Sequence, residues 1–158
     1  MPVYDKPRVI NCSEDYSKHI GLPRGCADEA VSLFEDLGIN VSVADERTSG
    51  KPLKVSFNGR LWSQQKQAVK ELRKHDIGIL SAATAFGKTV IAAKLIAVRK
   101  RNTLILVHRR QLLDQWRAKL ATFLGISESD IGQIGGGKKK VNGRLDIAGV
   151  ADIRLRHR

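Results

Sequence analysis

The sequence predicts an α/β fold: a parallel sheet with flanking helices, preceded by a small α+β unit. Three features predict it. From Leu61 onward, short apolar runs alternate with longer amphipathic stretches, the strand–helix–strand–helix–strand order that builds a parallel sheet with right-handed crossovers. Gly87-Lys88-Thr89 stands between one such run and one such stretch. The charge also changes sign along the chain. Residues 1–50 carry 5 Lys/Arg against 9 Asp/Glu, and residues 51–158 carry 23 against 7, within a net charge of +12. The switch falls near Thr48-Ser49-Gly50-Lys51-Pro52. The expected organisation is a small acidic unit over residues 1–60 and a basic body over residues 61–158.

The elements follow in order. Cys26 to Leu37 places Ala30, Val31, Leu33, Phe34 and Leu37 at helical spacing among acids, with Gly38 as a stop. Val41 and Val43 alternate with polar residues and read as a strand, as do Leu53, Val55 and Phe57. Ser63 is placed to cap a helix through Lys74 that buries Ala68, Val69 and Leu72. Ile77 to Leu80 is a short apolar run, expected as the strand before the Gly87 loop. Lys88 to Val98 is an alanine-rich helix packed on a sheet. Thr103 to Val107 is apolar without alternation, a buried parallel strand. Arg109 to Leu124 is a second long helix with Leu112, Leu113, Trp116, Leu120 and Phe123 on one face. A Gly135-Gly136-Gly137-Lys138-Lys139-Lys140 run and a strand over Leu145 to Val150 complete the pattern.

Composition excludes several classes. At 42% hydrophobic and 28% charged the chain is globular rather than disordered, and its 158 residues suit one ordinary domain. No apolar run approaches the ~20 residues that span a bilayer, so no membrane association is expected. Met1 to Ile10 has no apolar core of a secretory signal. Cys12 and Cys26 lack partners at metal-ligand spacing and read as ordinary thiols of a reducing, cytoplasmic setting. The basic body suggests a polyanionic partner, most simply nucleic acid; a solvated surface is the alternative.

Gly87-Lys88-Thr89 matches the end of a phosphate-binding loop, although the full pattern wants glycine where Ala82 stands. The surrounding strand and helix favour that reading over a simple strand-to-helix turn. Amides at the helix start would face phosphate oxygens, aided by the helix dipole. Lys88 would reach the β- and γ-phosphates of ATP, and Thr89 would offer its hydroxyl to Mg²⁺. The candidate nucleotide residues are Thr84, Ala85, Phe86, Gly87, Lys88 and Thr89, with Lys88 and Thr89 as the catalytic pair. Ala85 stands where positive φ would cost about 1 kcal/mol.

"AATAFGKT" resembles motif I of superfamily-2 helicases, where the first position is often alanine. The form is similar to the restriction-enzyme and XPB-like branch. "LWSQQKQAV" resembles the upstream segment of that branch, with Trp62-Ser63 in place of the commoner Arg-Pro, and implies that Gln65 reads adenine. "LVHRRQLLDQW" resembles motif Ia and implies that Arg109, Arg110 and Gln115 contact the nucleic-acid backbone. "IGQIGGGKKK" resembles the glycine-containing loop that follows, and implies contacts from Gly136, Gly137 and Lys138. The likeness covers residues 61–149 and implies a partial RecA-like domain that uses ATP and Mg²⁺ on nucleic acid, with DNA favoured over RNA.

A motor of this class needs an Asp-Glu pair on a strand end and a second lobe carrying an arginine. After Thr89 the acids are Asp114, Glu128, Asp130, Asp146 and Asp152, and none forms such a pair. Asp146 starts its strand rather than ending it. The closing "ADIRLRHR" departs from the family pattern. The expectation is a truncated ATP-binding portion, with three open readings: part of a helicase completed by another chain, a non-catalytic nucleic-acid-binding module, or an inactive remnant.

Overall fold

The computed structural model describes residues 12–44 and 48–153. The expectations for Met1–Ile10 and for the end of "ADIRLRHR" lie largely outside them. The chain divides into two compact units, residues 1–47 and 48–158. Residues 48–60, grouped by sequence with the acidic unit, fall in the second.

In the first unit, β1 (Glu14–Asp15) pairs antiparallel with β2 (Ile20–Gly21). The turn between them is closed by the Tyr16 amide donating to the His19 carbonyl at 2.9 Å and by stacking of the two rings. A 3₁₀ turn, Arg24–Cys26, leads into α1 (Ala27–Asp36). Gly38 ends it at φ +72°, a conformation that suits glycine. Ala30, Val31 and Phe34 are half-buried, but no residue of α1 is fully buried. Residues 41–44 form no strand, and Val43 is exposed. The two expected valines alternate without a neighbouring strand to pair with. Cys12 and Cys26 are free, exposed thiols.

The second unit holds α2 (Ser63–Leu72), α3 (Lys88–Arg99), β3 (Thr103–Val107), α4 (Arg110–Leu124), β4 (Gly132–Gly135), β5 (Lys138–Lys140) and β6 (Leu145–Gly149). The sheet runs β3-β6-β4-β5. β3, β6 and β4 are parallel, with Ile105 opposite Ile147 and Gln133 opposite Ile147; β5 pairs antiparallel with β4. The triple lysine, read as part of a loop, is therefore a short edge strand.

Leu113, Leu120 and Leu124 of α4 join Val107, Leu145 and Ile147 of the sheet and Ala93, Ile96 and Ala97 of α3 in the main core. A smaller cluster packs Leu61, Val69 and Ile91 with Phe86 and Leu80. Strand neighbours point to opposite faces. Ile105 and Val107 therefore face this core, while Leu104 and Leu106 project from the other face and are exposed. Among the described residues, β3 is an edge of the sheet.

Two further expected strands, both in the second unit, are absent. Leu53, Val55 and Phe57 do turn inward in alternation, Leu53 being buried and the other two packed against the core. The segment makes only the isolated Pro52–Arg101 bridge, with the Leu53 amide donating to the Lys100 carbonyl at 3.0 Å. Ile77 to Leu80 joins no sheet, and Ile77 and Ile79 are exposed. Apolarity there lacks a strand partner to complete a ladder. No helix of the described residues is long and apolar enough to cross a membrane.

Leu120 is 0% exposed at the α4–sheet contact. Leu120→Ala should lower unfolding free energy by about 3 kcal/mol, the usual cost of a buried Leu→Ala cavity, as measured by urea denaturation.

Candidate functional site

The loop before α3 is held from below. Gln65, on the first turn of α2, is 5% exposed. Its Nε2 donates to the Phe86 carbonyl at 2.8 Å, and its Oε1 accepts the Trp62 amide at 3.0 Å. The helix start is thus closed by Trp62 and Gln65, not by Ser63. In this structure the Gln65 amide ties α2 to the loop. Phe86 packs on the Leu61–Val69–Ile91 cluster, fixing the loop a second time.

Ala85 and Gly87 both have positive φ, +66° and +89°. For Ala85 this carries the strain foreseen from sequence. At Gly87 a Cβ would stand 2.5 Å from Gln65 Nε2, so glycine is required both for conformation and for space. No side chain caps α3, whose N-cap is Gly87. Lys88 is exposed, and its ammonium donates to the carbonyls of Ala82 and Ala83 at 2.5 and 2.8 Å. Thr84 and Ala85 are exposed, and Thr89 is half-buried on the first turn of α3. Residues 84–87 therefore form one loop, and Lys88 and Thr89 open α3 directly after it, so a cation stands at an uncapped helix start.

A second constellation forms where β4 and β6 end side by side. Gly135, Gly136 and Gly137 take φ of +112°, +64° and +81° in succession. A Cβ at Gly135 would come within 2.3 Å of Asp152 Oδ2. Arg109 is the N-cap of α4 and Arg110 its first residue. The Arg110 guanidinium donates to the Gly136 carbonyl at 3.0 Å, joining the two segments expected to meet nucleic acid. A cavity of about 610 Å³ beside them is lined by Gly135, Gly137, Lys138, Lys139 and Asp152. It lies at the carboxyl end of parallel strands, where α/β sheets bind ligands. Gln115 is exposed on α4, outside this network.

Sequence reading missed the parts that hold the glycine turn. Gln133 is buried, donates to the Gly135 carbonyl at 3.2 Å and accepts from Arg117 at 2.9 Å; Arg117 also pairs with Glu128 at 2.9 Å. Arg117 stands 16 residues before Gln133, and no motif joins the two to Glu128. Asp146 is buried and accepts the amides of Asn142 and Gly143 at 2.8 and 2.9 Å, so its carboxylate fixes the turn into β6. Among the described residues, no group of three His, Cys, Asp or Glu could hold a metal ion.

Residues 58–153 match the family described as type III restriction enzyme, res subunit. The chain is 32% identical over 101 residues to a putative DNA 3'-5' helicase Rad25 of Haloarcula marismortui, covering 63% of this chain and 16% of that protein. It is 37% identical over 79 residues to the DNA 3'-5' translocase XPB2 of Sulfurisphaera tokodaii, covering 50% and 17%. The chain thus spans about a sixth of the length of these relatives. Its fold is similar to the UvsW helicase of bacteriophage T4, with a TM-score of 0.56 at 20% identity over 85% of this chain and 55% of that one. The motif order, the mostly parallel sheet with flanking helices and the match over residues 58–153 lead to one family: the chain belongs to the type III restriction enzyme res-subunit family, in the restriction-enzyme and XPB-like branch of the superfamily-2 helicases.

Proposed function

We propose that residues 48–153 form the nucleotide-phosphate-binding and nucleic-acid-binding part of an ATP-dependent helicase motor, acting on DNA, and that this chain by itself does not turn ATP over. The observation that carries the reading is the braced loop: Lys88 at an uncapped helix start, behind a backbone bent through Ala85 and Gly87 and pinned by Gln65. That donor set suits a polyphosphate.

Bound ATP with Mg²⁺ supplies the phosphoanhydride whose cleavage drives such motors. Lys88 would exchange two neutral carbonyl acceptors for anionic oxygens, a gain because charge-assisted hydrogen bonds are the stronger. Amides at the start of α3 would orient the same oxygens. The Thr89 hydroxyl would hold the Mg²⁺ that accompanies the nucleotide. Arg109, Arg110 and the glycine turn would hold a nucleic-acid backbone without reading bases. The names of the relatives, a DNA helicase and a DNA translocase, support DNA as that nucleic acid. A non-catalytic role for the chain alone is favoured by one feature: no Asp-Glu pair follows Thr89.

Lys88→Ala should abolish binding of a fluorescent ATP analogue, and equal affinity in the two proteins would remove this site. ATP hydrolysis by the purified chain, with or without DNA, should stay at background, since an arginine finger alone is worth about 10³–10⁵ in kcat in such chemistry. DNA-stimulated turnover near ~1 s⁻¹ that Lys88→Ala eliminates would overturn this. Arg109→Ala and Arg110→Ala should each lower the salt slope of oligonucleotide binding by roughly one per lost contact, read by fluorescence anisotropy.

A further inference from the structure

Beyond the two sites above, a third surface carries an unassigned concentration of charge. A cavity of about 480 Å³ opens where α2 faces α3. Its apolar lining is Leu61 and Val69. The rest of its lining is cationic: Lys66, Lys70, Arg73 and Lys74 from α2 and its C-terminal turn, and Lys94 from α3. No acid lines it. Lys74 is paired with Glu71 at 2.8 Å, and Lys94 is steadied over the Phe57 ring at 5.1 Å. Among the described residues no carboxylate forms an ion pair with Lys66, Lys70 or Arg73.

Lys66, Lys70 and Lys74 recur every four residues. At 1.5 Å rise per residue Lys66 and Lys70 stand about 6 Å apart along the axis of α2, on one face of it, and Lys74 follows in the turn past its end. Like charges at this spacing destabilise a helix. Here Lys94 adds a further cation from across the cavity. A multivalent anion lying along the row relieves that repulsion and releases condensed counterions in doing so. A small anion would meet only one or two of the five cations, whereas a repeating phosphate chain meets the whole row.

We infer that the α2–α3 cavity is a second nucleic-acid contact, holding the phosphate backbone of a strand through Lys66, Lys70, Arg73 and Lys94, separate from the α4 start and the glycine turn. This rests on nucleic acid being the ligand of the second unit. The surface lies on α2, whose Gln65 is bonded to the phosphate loop, so strand and nucleotide would meet the same helix.

The test titrates a labelled oligonucleotide by anisotropy across a salt series with the full chain. The variants are Lys66→Gln/Lys70→Gln, Lys66→Arg/Lys70→Arg and Arg109→Ala/Arg110→Ala. The Gln pair should lose about 1.4 to 1.8 from the salt slope and bind about 20- to 60-fold more weakly near 0.1 M salt, two phosphate contacts having been removed. The Arg pair should bind like wild type. Thermal unfolding of the Gln pair should not fall to lower temperature, as these side chains are exposed and their mutual repulsion is removed. If the Gln pair matches wild type in affinity and slope while Arg109→Ala/Arg110→Ala weakens binding, the cavity is not a contact and the proposed function stands. If the wild type binds no oligonucleotide, the nucleic-acid reading fails and this inference with it. If the Gln pair loses affinity for inorganic tripolyphosphate but none for the oligonucleotide, the cavity serves free polyphosphate and the strand assignment is wrong.

Discussion

The second unit is organised around β6. It is buried at each of its five positions, pairs on both edges, and receives the apolar face of α4. A slip of one residue would exchange Leu145 and Ile147 for Asp146 and Ala148 on the core side, burying a carboxylate among leucines. The register is set at its start, where the Asp146 carboxylate takes the amides of Asn142 and Gly143 and Asn142 in turn accepts those of Arg144 and Leu145. Its end then determines where Asp152 comes to lie against Gly135 and Gly149. The glycine turn and the start of α4 take their positions from this strand.

The loop before α3 and the glycine turn are built by one device. A stretch of backbone is driven into positive φ, and a side chain from a neighbouring helix grips one of its carbonyls. Gln65 does this for the loop at Phe86, and Arg110 does it for the turn at Gly136. The grip leaves the amides of these segments oriented rather than free to wander. It also explains why glycine recurs: at Gly87 a single added methyl would overlap the Gln65 amide that does the holding, and at Gly135 it would overlap the Asp152 carboxylate.

Much of this was legible in the residues. An unbroken apolar run gave β3 its bounds, but the burial on both faces that such a run predicts is not what the structure has: Leu104 and Leu106 are exposed. Helical spacing found α3 and α4 to within a residue or so, because Gly87 and Gly125 mark an end of each with positive φ. The charge switch near Gly50 lies close to the division between the compact units. What stayed hidden depends on partners. Leu53, Val55 and Phe57 turn inward as their alternation requires, yet alternation cannot supply a neighbouring strand. Ile77 to Leu80 is apolar enough for a strand but has none beside it. Gln65, Arg117 and Gln133 are ordinary polar residues until the fold brings their acceptors within 3 Å or so, and no local pattern announces that.

The outer edge of β3 has a consequence for how the protein behaves in solution. Thr103-Leu104-Ile105-Leu106-Val107 is β-prone and uncharged, its ladder is open on one side among the described residues, and two of its leucines are half in water. Such an edge is a template for stacking copies of itself. The surplus of +12 opposes that by mutual repulsion between molecules. The repulsion reaches only about a Debye length, ~10 Å at 0.1 M salt and ~3 Å at 1 M. Net charge thus contributes to the colloidal stability of this chain, and a strong brine weakens the barrier that keeps one edge strand from finding another.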